Sequence, residues 1–196
     1  MSTSEVILYG LGPSRLECPF DCETWGVNHA FQAPETKRLD KLFLFHKPKE
    51  IILPIMHTDM NAAFAFIPYW DWGLLKRVSH EGLDVISLYK IEGVKSRKYP
   101  LERITRKFKT DYFLNSLCYV IAYAIDKGYG KIRFYGVDMA TTSERRMEKG
   151  GMEFWIGYAM GLGIEIEITR NSNLLKTRTG YPFGMEHLLE TSLETC

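Results

Sequence analysis

Apolar residues cluster in short runs separated by polar and glycine-rich breaks, and the spacing within each run predicts its element. Val6 to Tyr9, Leu42 to His46, Asp84 to Leu88 and the run opening at Lys131 are short, β-branched or aromatic, and end abruptly. Such continuous runs predict strands buried on both faces, as in a parallel sheet. Thr24 to Asn28 and Ile51 to Ile55 predict two more, and Ile164 to Ile168 alternates like a strand with one wetter face. Between Tyr112 and Lys127, apolar residues at Leu117, Val120, Ile121, Ala124 and Ile125 recur every three or four positions and predict a helix stopped by Gly128. After a polar loop from Ala140 to Gly151, Phe154 to Leu162 predicts another helix. Ala62 to Trp72 is aromatic but interrupted by Pro68. The alternation of strands and helices predicts an α/β fold: a single Rossmann-like domain over residues 1–180, with a mostly parallel sheet flanked by helices. Residues 181–196 are expected to form an appended helix or tail whose Met185, Leu188, Leu189 and Leu193 would cover the core or meet another subunit.

In open parallel sheets ligands bind beyond the carboxyl ends of the strands. Two such ends stand out. Val6 to Tyr9 breaks into Gly10-Leu-Gly12-Pro13-Ser14, and the Lys131 run breaks into Gly136-Val-Asp138. Glycines let backbone N–H groups approach an anion, so these loops suit a phosphate-bearing ligand. Asp138 suits ribose hydroxyls, a divalent cation or a loop cap.

Composition narrows the classes. The chain has 196 residues, 45% hydrophobic and 25% charged, with 25 basic residues against 24 acidic ones. That balance disfavours general nucleic-acid binding, and no apolar run reaches the roughly 20 residues needed to span a bilayer. The amino terminus lacks the pattern of a secretory signal, so a cytoplasmic protein is expected. Cys18 and Cys22, with His29 and His46 downstream, do not make a recognisable four-ligand set, so no metal is expected and reduced thiols are. Lys95 to Lys109 carries seven basic residues against Glu102 alone. It reads as a phosphate-neutralising lid, with Arg103 or Arg106 as clamps, or as a solvated helix face or connector; Tyr99 and Phe108 would also allow nucleic-acid contact. Arg145 and Arg146, with Lys149, follow Asp138 and form a second basic cluster near the expected crevice.

Four ordered segments, covering about half the chain, resemble bacterial sialyltransferases that use CMP-activated sialic acid. They also resemble related nucleotide-binding proteins that include archaeal 6-hydroxymethylpterin diphosphokinases. Gly10-Leu-Gly-Pro-Ser14 is similar to the family's Gly-Asn-Gly-Pro-Ser loop. Trp25-Gly-Val-Asn28-His-Ala-Phe31 matches an asparagine followed closely by phenylalanine. Asn115-Ser-Leu-Cys-Tyr through Tyr135-Gly-Val-Asp138 is similar to a helix, a lysine-led strand and a Gly-Ile-Asp ending. Trp155-Ile-Gly with Asn171-Ser-Asn-Leu-Leu175 resembles the aromatic-Ile-Gly and Asn-Ser-Leu-Leu elements. The short chain also resembles compact bacteriophage members of this type.

The resemblance implies a nucleotide-sugar-binding glycosyltransferase, with a CMP-type ligand first and a hydroxyl acceptor. It places the nucleotide across Gly10, Gly12, Pro13, Ser14, Asn28, Asn115, Ser116, Asp138, Ser172 and Asn173. Asn28 can equally stabilise a turn, and Asn115 and Ser116 can equally lie mid-helix. The family's base is a histidine just before the aromatic-Ile-Gly element; here that stretch is Met152-Glu153-Phe154-Trp155. Glu153 or His46 is then the candidate base. Two rivals follow: a non-catalytic protein that sequesters a nucleotide or nucleotide-derived signal, and a diphosphokinase-like enzyme, the only one that would require magnesium. The expected partner is a small-molecule nucleotide, with a homo-oligomer as a further option.

Overall fold

The computed structural model describes residues 4–46, 70–139 and 143–176, with the backbone alone over 143–147. Seven strands, β1 (Glu5–Tyr9), β2 (Glu23–Val27), β3 (Lys41–Leu44), β4 (Asp84–Ser87), β5 (Ser96–Lys98), β6 (Lys131–Tyr135) and β7 (Glu165–Ile168), form one sheet. Every pairing is parallel, in the order β5-β4-β3-β2-β1-β6-β7. Among the described residues four α-helices accompany them: α1 (Trp72–Glu81), α2 (Leu101–Phe108), α3 (Ser116–Lys127) and α4 (Ser143–Gly161). This is a Rossmann-like α/β domain.

Alternation along β1 explains its unbroken apolar run. Val6 and Leu8 join the core formed with α2, α3 and α4, while Ile7 and Tyr9 join the opposite core with Trp70, Leu75 and Leu42. Both faces are covered, so no polar position is tolerated in between. Strand order runs outward from β1 to β5 in one direction and through β6 to β7 in the other. The switch point, where such sheets open a crevice, therefore lies between β1 and β6.

Several elements differ from the sequence expectation. The helix expected from Tyr112 begins at Ser116, because Asn115 is extended (φ −153°, ψ 174°) and its side chain accepts the Cys118 amide at 3.0 Å as an N-cap. Gly128, at φ +79°, ends the helix as expected and donates its N–H to the Ala124 and Ile125 carbonyls. The second helix starts at Ser143 rather than Phe154, so the expected loop to Gly151 is largely helical and runs through Gly150 and Gly151. A Cβ on Gly151 would stand 3.0 Å from Leu114 and 3.1 Å from Cys118 Sγ, whereas one on Gly150 meets nothing nearer than 3.7 Å. Gly151 thus admits the 113–115 segment onto α4.

The basic stretch contains the short strand β5 and then α2, whose Arg103, Arg106 and Lys107 are exposed, so the helix-face alternative describes it and a bare connector does not. The strand expected at Ile51 to Ile55, most of the aromatic run from Ala62, and the 181–196 tail lie outside the described residues. Among the described residues no helix is long and apolar enough to cross a membrane.

Candidate functional site

The loops after β1 and β6 are locked together at the switch point. Gly10 N–H donates to the Tyr135 carbonyl and Gly12 N–H to the Gly136 carbonyl, each at 2.8 Å. Ser14 N–H donates to Asp138 Oδ2 at 3.0 Å, and Ser14 Oγ accepts the Gly136 N–H at 2.9 Å. A Cβ on Gly10 would stand 2.3 Å from the Gly136 oxygen, and one on Gly136 would stand 2.4 Å from the Gly10 oxygen. Pro13 opens a 3-10 turn over Pro13–Glu17. Contrary to the expectation of an anion cradle, the amides of Gly10, Gly12 and Ser14 are already bonded within the protein. Its glycines are accounted for by close contact with the β6 loop, Gly10 against the Gly136 backbone and Gly12 against the Asp138 carboxylate. Arg15, 3% exposed, completes the lock through Glu35 and the Leu11 and Gly12 carbonyls. Neither periodicity nor charge marked it in the sequence.

One strand to the side, Asn28 follows β2 with φ +52°, a left-handed conformation that asparagine adopts more readily than most residues. Its Oδ1 is shielded from solvent with no hydrogen-bond partner. On the other side of β1, Asp138 is 7% exposed; its Oδ2 holds Ser14 and its Oδ1 has no partner. Beyond β7, Asn173 donates its backbone N–H to the Asp138 carbonyl at 2.9 Å and Nδ2 to the Met139 carbonyl at 3.3 Å, again leaving Oδ1 unpaired. Buried acceptors without donors cost about 1–3 kcal/mol each, so three at one sheet edge mark unused hydrogen-bonding capacity. The ends of β2 and β6 lie two strand spacings apart, about 10 Å, within the span of one nucleotide.

Ser172 is fully buried; its hydroxyl donates to the Val137 carbonyl at 2.7 Å and accepts the Leu174 N–H at 3.2 Å. It ties the segment after β7 to the end of β6. Asn115 and Ser116 open α3, which precedes β6 and so begins at the carboxyl edge of the sheet. With the Cys118 amide capped, the remaining first-turn amides point outward, where a helix start favours an anion.

The four basic residues expected to neutralise phosphate are divided. Arg103 pairs with Asp126 across 2.6 Å, ten residues and about 15 Å along α3 from its start. Its guanidinium is thereby committed at the end of α3 remote from Asn115, which corrects its reading as a phosphate clamp. Arg106 is exposed on α2. Arg145 and Arg146 fall in the first turn of α4, just past β6, where the backbone alone is described. Lys149, one turn on, bonds the Lys176 carbonyl at 3.2 Å.

The two candidate bases are separated. Glu153 Oε1 accepts the Leu175 N–H at 2.7 Å and lies 3.3 Å from Lys149 Nζ. His46 is exposed, two residues past β3, and β3 is three strand spacings, about 15 Å, from β6. Cys18, Cys22 and Cys118 are free thiols, and burial pushes the Cys18 thiol up to about 11, away from reactivity. Among the described residues no group of three His, Cys, Asp or Glu side chains is placed to hold a metal ion.

No protein-family model and no curated protein matches the chain. Solved structures do. The sialyltransferase CstII from Campylobacter jejuni, in complex with the substrate analogue CMP-3FNeuAc, is similar with a TM-score of 0.50 at 14% identity, covering 90% of this chain and 92% of that one. A tyrosine-to-phenylalanine variant of the sialyltransferase CST-II in complex with CMP also has a TM-score of 0.50 at 14% identity, covering 84% of this chain and 80% of its own. An asparagine-to-alanine variant with CMP has the same score and identity, covering 84% and 81%. At that identity the likeness establishes a shared fold.

Proposed function

We propose that this chain binds a CMP-type nucleotide sugar at the carboxyl edge of β2, β1 and β6 and transfers the glycosyl group to a hydroxyl. The observation that carries the reading is the set of three unpaired buried oxygens, on Asn28, Asp138 and Asn173, beside the switch point. They are acceptors, and the hydroxyls of a ribose and the amino group of a cytosine are donors. The solved structures of similar fold bind CMP and a CMP-sugar analogue, which supports the same ligand class here.

In this reading Asn28, Asp138 and Asn173 hold the nucleoside, and the first-turn amides of α3 face the phosphate. The acceptor oxygen attacks the anomeric carbon while its bond to phosphate breaks. The nucleotide leaves with the electron pair and the acceptor proton passes to a base, inverting the centre. Of the two candidate bases, Glu153 is engaged by the Leu175 N–H and Lys149, which leaves the exposed His46 as the base this reading uses.

A second reading, nucleotide binding without turnover, is favoured by Glu153. Its carboxylate is engaged by Leu175 and Lys149 where the resembled enzymes carry a histidine base. Thermal melts with CMP, UDP, GDP and adenine nucleotides, and with their sugar conjugates, test both readings when ligand consumption is followed by mass spectrometry. Stabilisation by a CMP-sugar with release of CMP supports transfer. Stabilisation without consumption supports sequestration, and no stabilisation by any nucleotide removes both.

A further inference from the structure

The segment after β7 is gripped at two points. At one, Ser172 and Asn173 bond the Val137, Asp138 and Met139 carbonyls that follow β6. At the other, a single turn of α4 holds Leu175 and Lys176: Glu153 Oε1 accepts the Leu175 N–H at 2.7 Å, and Lys149 Nζ donates to the Lys176 carbonyl at 3.2 Å. Lys149 and Glu153 pair with each other at 3.3 Å, so the two contacts form one unit. At the second grip Leu175 has φ +55°, and the residue is 48% exposed. A leucine gains nothing intrinsic from that left-handed conformation, so outside contacts must hold it there. A carboxylate accepting a backbone N–H is a charge-assisted bond, among the stronger ways to do so.

We propose that Glu153 is a positioning residue, a clamp that fixes Leu175 and through it sets Asn173 beside Asp138 in the nucleotide site. This inference rests on the reading of that site as nucleotide-binding. It gives the carboxylate next to the Trp155-Ile-Gly element a task other than proton transfer. The clamp holds the segment so that the Asn173 and Asp138 acceptors keep a fixed relative placement, and its loss costs affinity rather than chemistry.

Two substitutions separate the roles. Glu153→Gln keeps a side-chain oxygen to accept the Leu175 N–H, whereas Glu153→Ala removes it. The clamp predicts that Glu153→Gln binds CMP within about threefold of wild type and retains whatever turnover the protein has, and that Glu153→Ala weakens CMP at least tenfold, a change of about 1.4 kcal/mol. Amide hydrogen exchange, read by mass spectrometry over 172–176, is expected to quicken in Glu153→Ala and stay near wild type in Glu153→Gln. Loss of turnover with retained CMP affinity in Glu153→Gln would instead make Glu153 the base, and unchanged exchange and affinity in Glu153→Ala would remove the clamp. Should Glu153→Ala fail to fold, Lys149→Met deletes the other grip, and accelerated exchange at 175–176 is expected; no change there overturns the clamp. If wild type binds no nucleotide, the reading of the site falls and the clamp is judged by exchange alone.

Discussion

Gly12 and Asp138 occupy one another's space: a Cβ on Gly12 would stand 2.2 Å from Asp138 Oδ2, the oxygen that accepts the Ser14 N–H. Glycine at this position is therefore required by the partner loop before any ligand arrives. Gly12→Ala is expected to push the two loops apart, at about 1–3 kcal/mol for overpacking. Chemical denaturation should show that loss, and Gly10→Ala, facing the Gly136 carbonyl, should lose a similar amount.

Adjacent glycines in α4 should respond in opposite directions. Gly150→Ala puts a methyl at ordinary van der Waals distance, 3.7 Å, from the Tyr112 hydroxyl and is expected to stabilise by about 1 kcal/mol through helix propensity. Gly151→Ala meets Leu114 and Cys118 near 3.0 Å and is expected to destabilise by about 1–3 kcal/mol despite the same propensity gain. Melting the two variants in parallel checks the packing of the 113–115 segment on α4, and equal shifts would contradict it.

Asp126 gives the acid limb of stability a definite sign. Burial alone would raise its pKa, but hydrogen bonds from Lys107 and Arg103 outweigh that and hold it below the ordinary aspartate value. A depressed folded pKa means the contribution is complete above the unfolded value of about 4 and is lost as pH falls through the folded value. Asp126→Asn should thus destabilise at neutral pH and flatten the decline of melting temperature below about pH 4. A parallel decline in both proteins would contradict the assignment.

The strands with two covered faces were legible, because Val6 to Tyr9 and Leu42 to Leu44 are apolar and buried at every position. The less legible elements bury little. In α1 only Leu75 and Ser79 are buried, and in α2 only Ile104 and Phe108, so neither shows a full apolar stripe. Arg103 and Lys107 looked like free charge because Asp126, which neutralises them, lies far along the chain. Gly150 and Gly151 looked like a break because the packing that calls for Gly151 is tertiary. At the site, Asp138 could be picked from its position after an apolar run, whereas Asn28 was reached through the family resemblance. That the loop amides are already bonded to the β6 loop, and that Glu153 holds Leu175, could not be read from local pattern.

Titration calorimetry of CMP into wild type, Asn28→Gly and Arg103→Ala tests the central claim most directly. Glycine keeps the left-handed backbone at position 28 while deleting the amide, and Arg103 lies at the far end of α3. Saturable binding to wild type, weakened at least tenfold in Asn28→Gly and unchanged in Arg103→Ala, is the predicted result. No binding of CMP to wild type, or equal affinity in wild type and Asn28→Gly, would contradict the strand-end site.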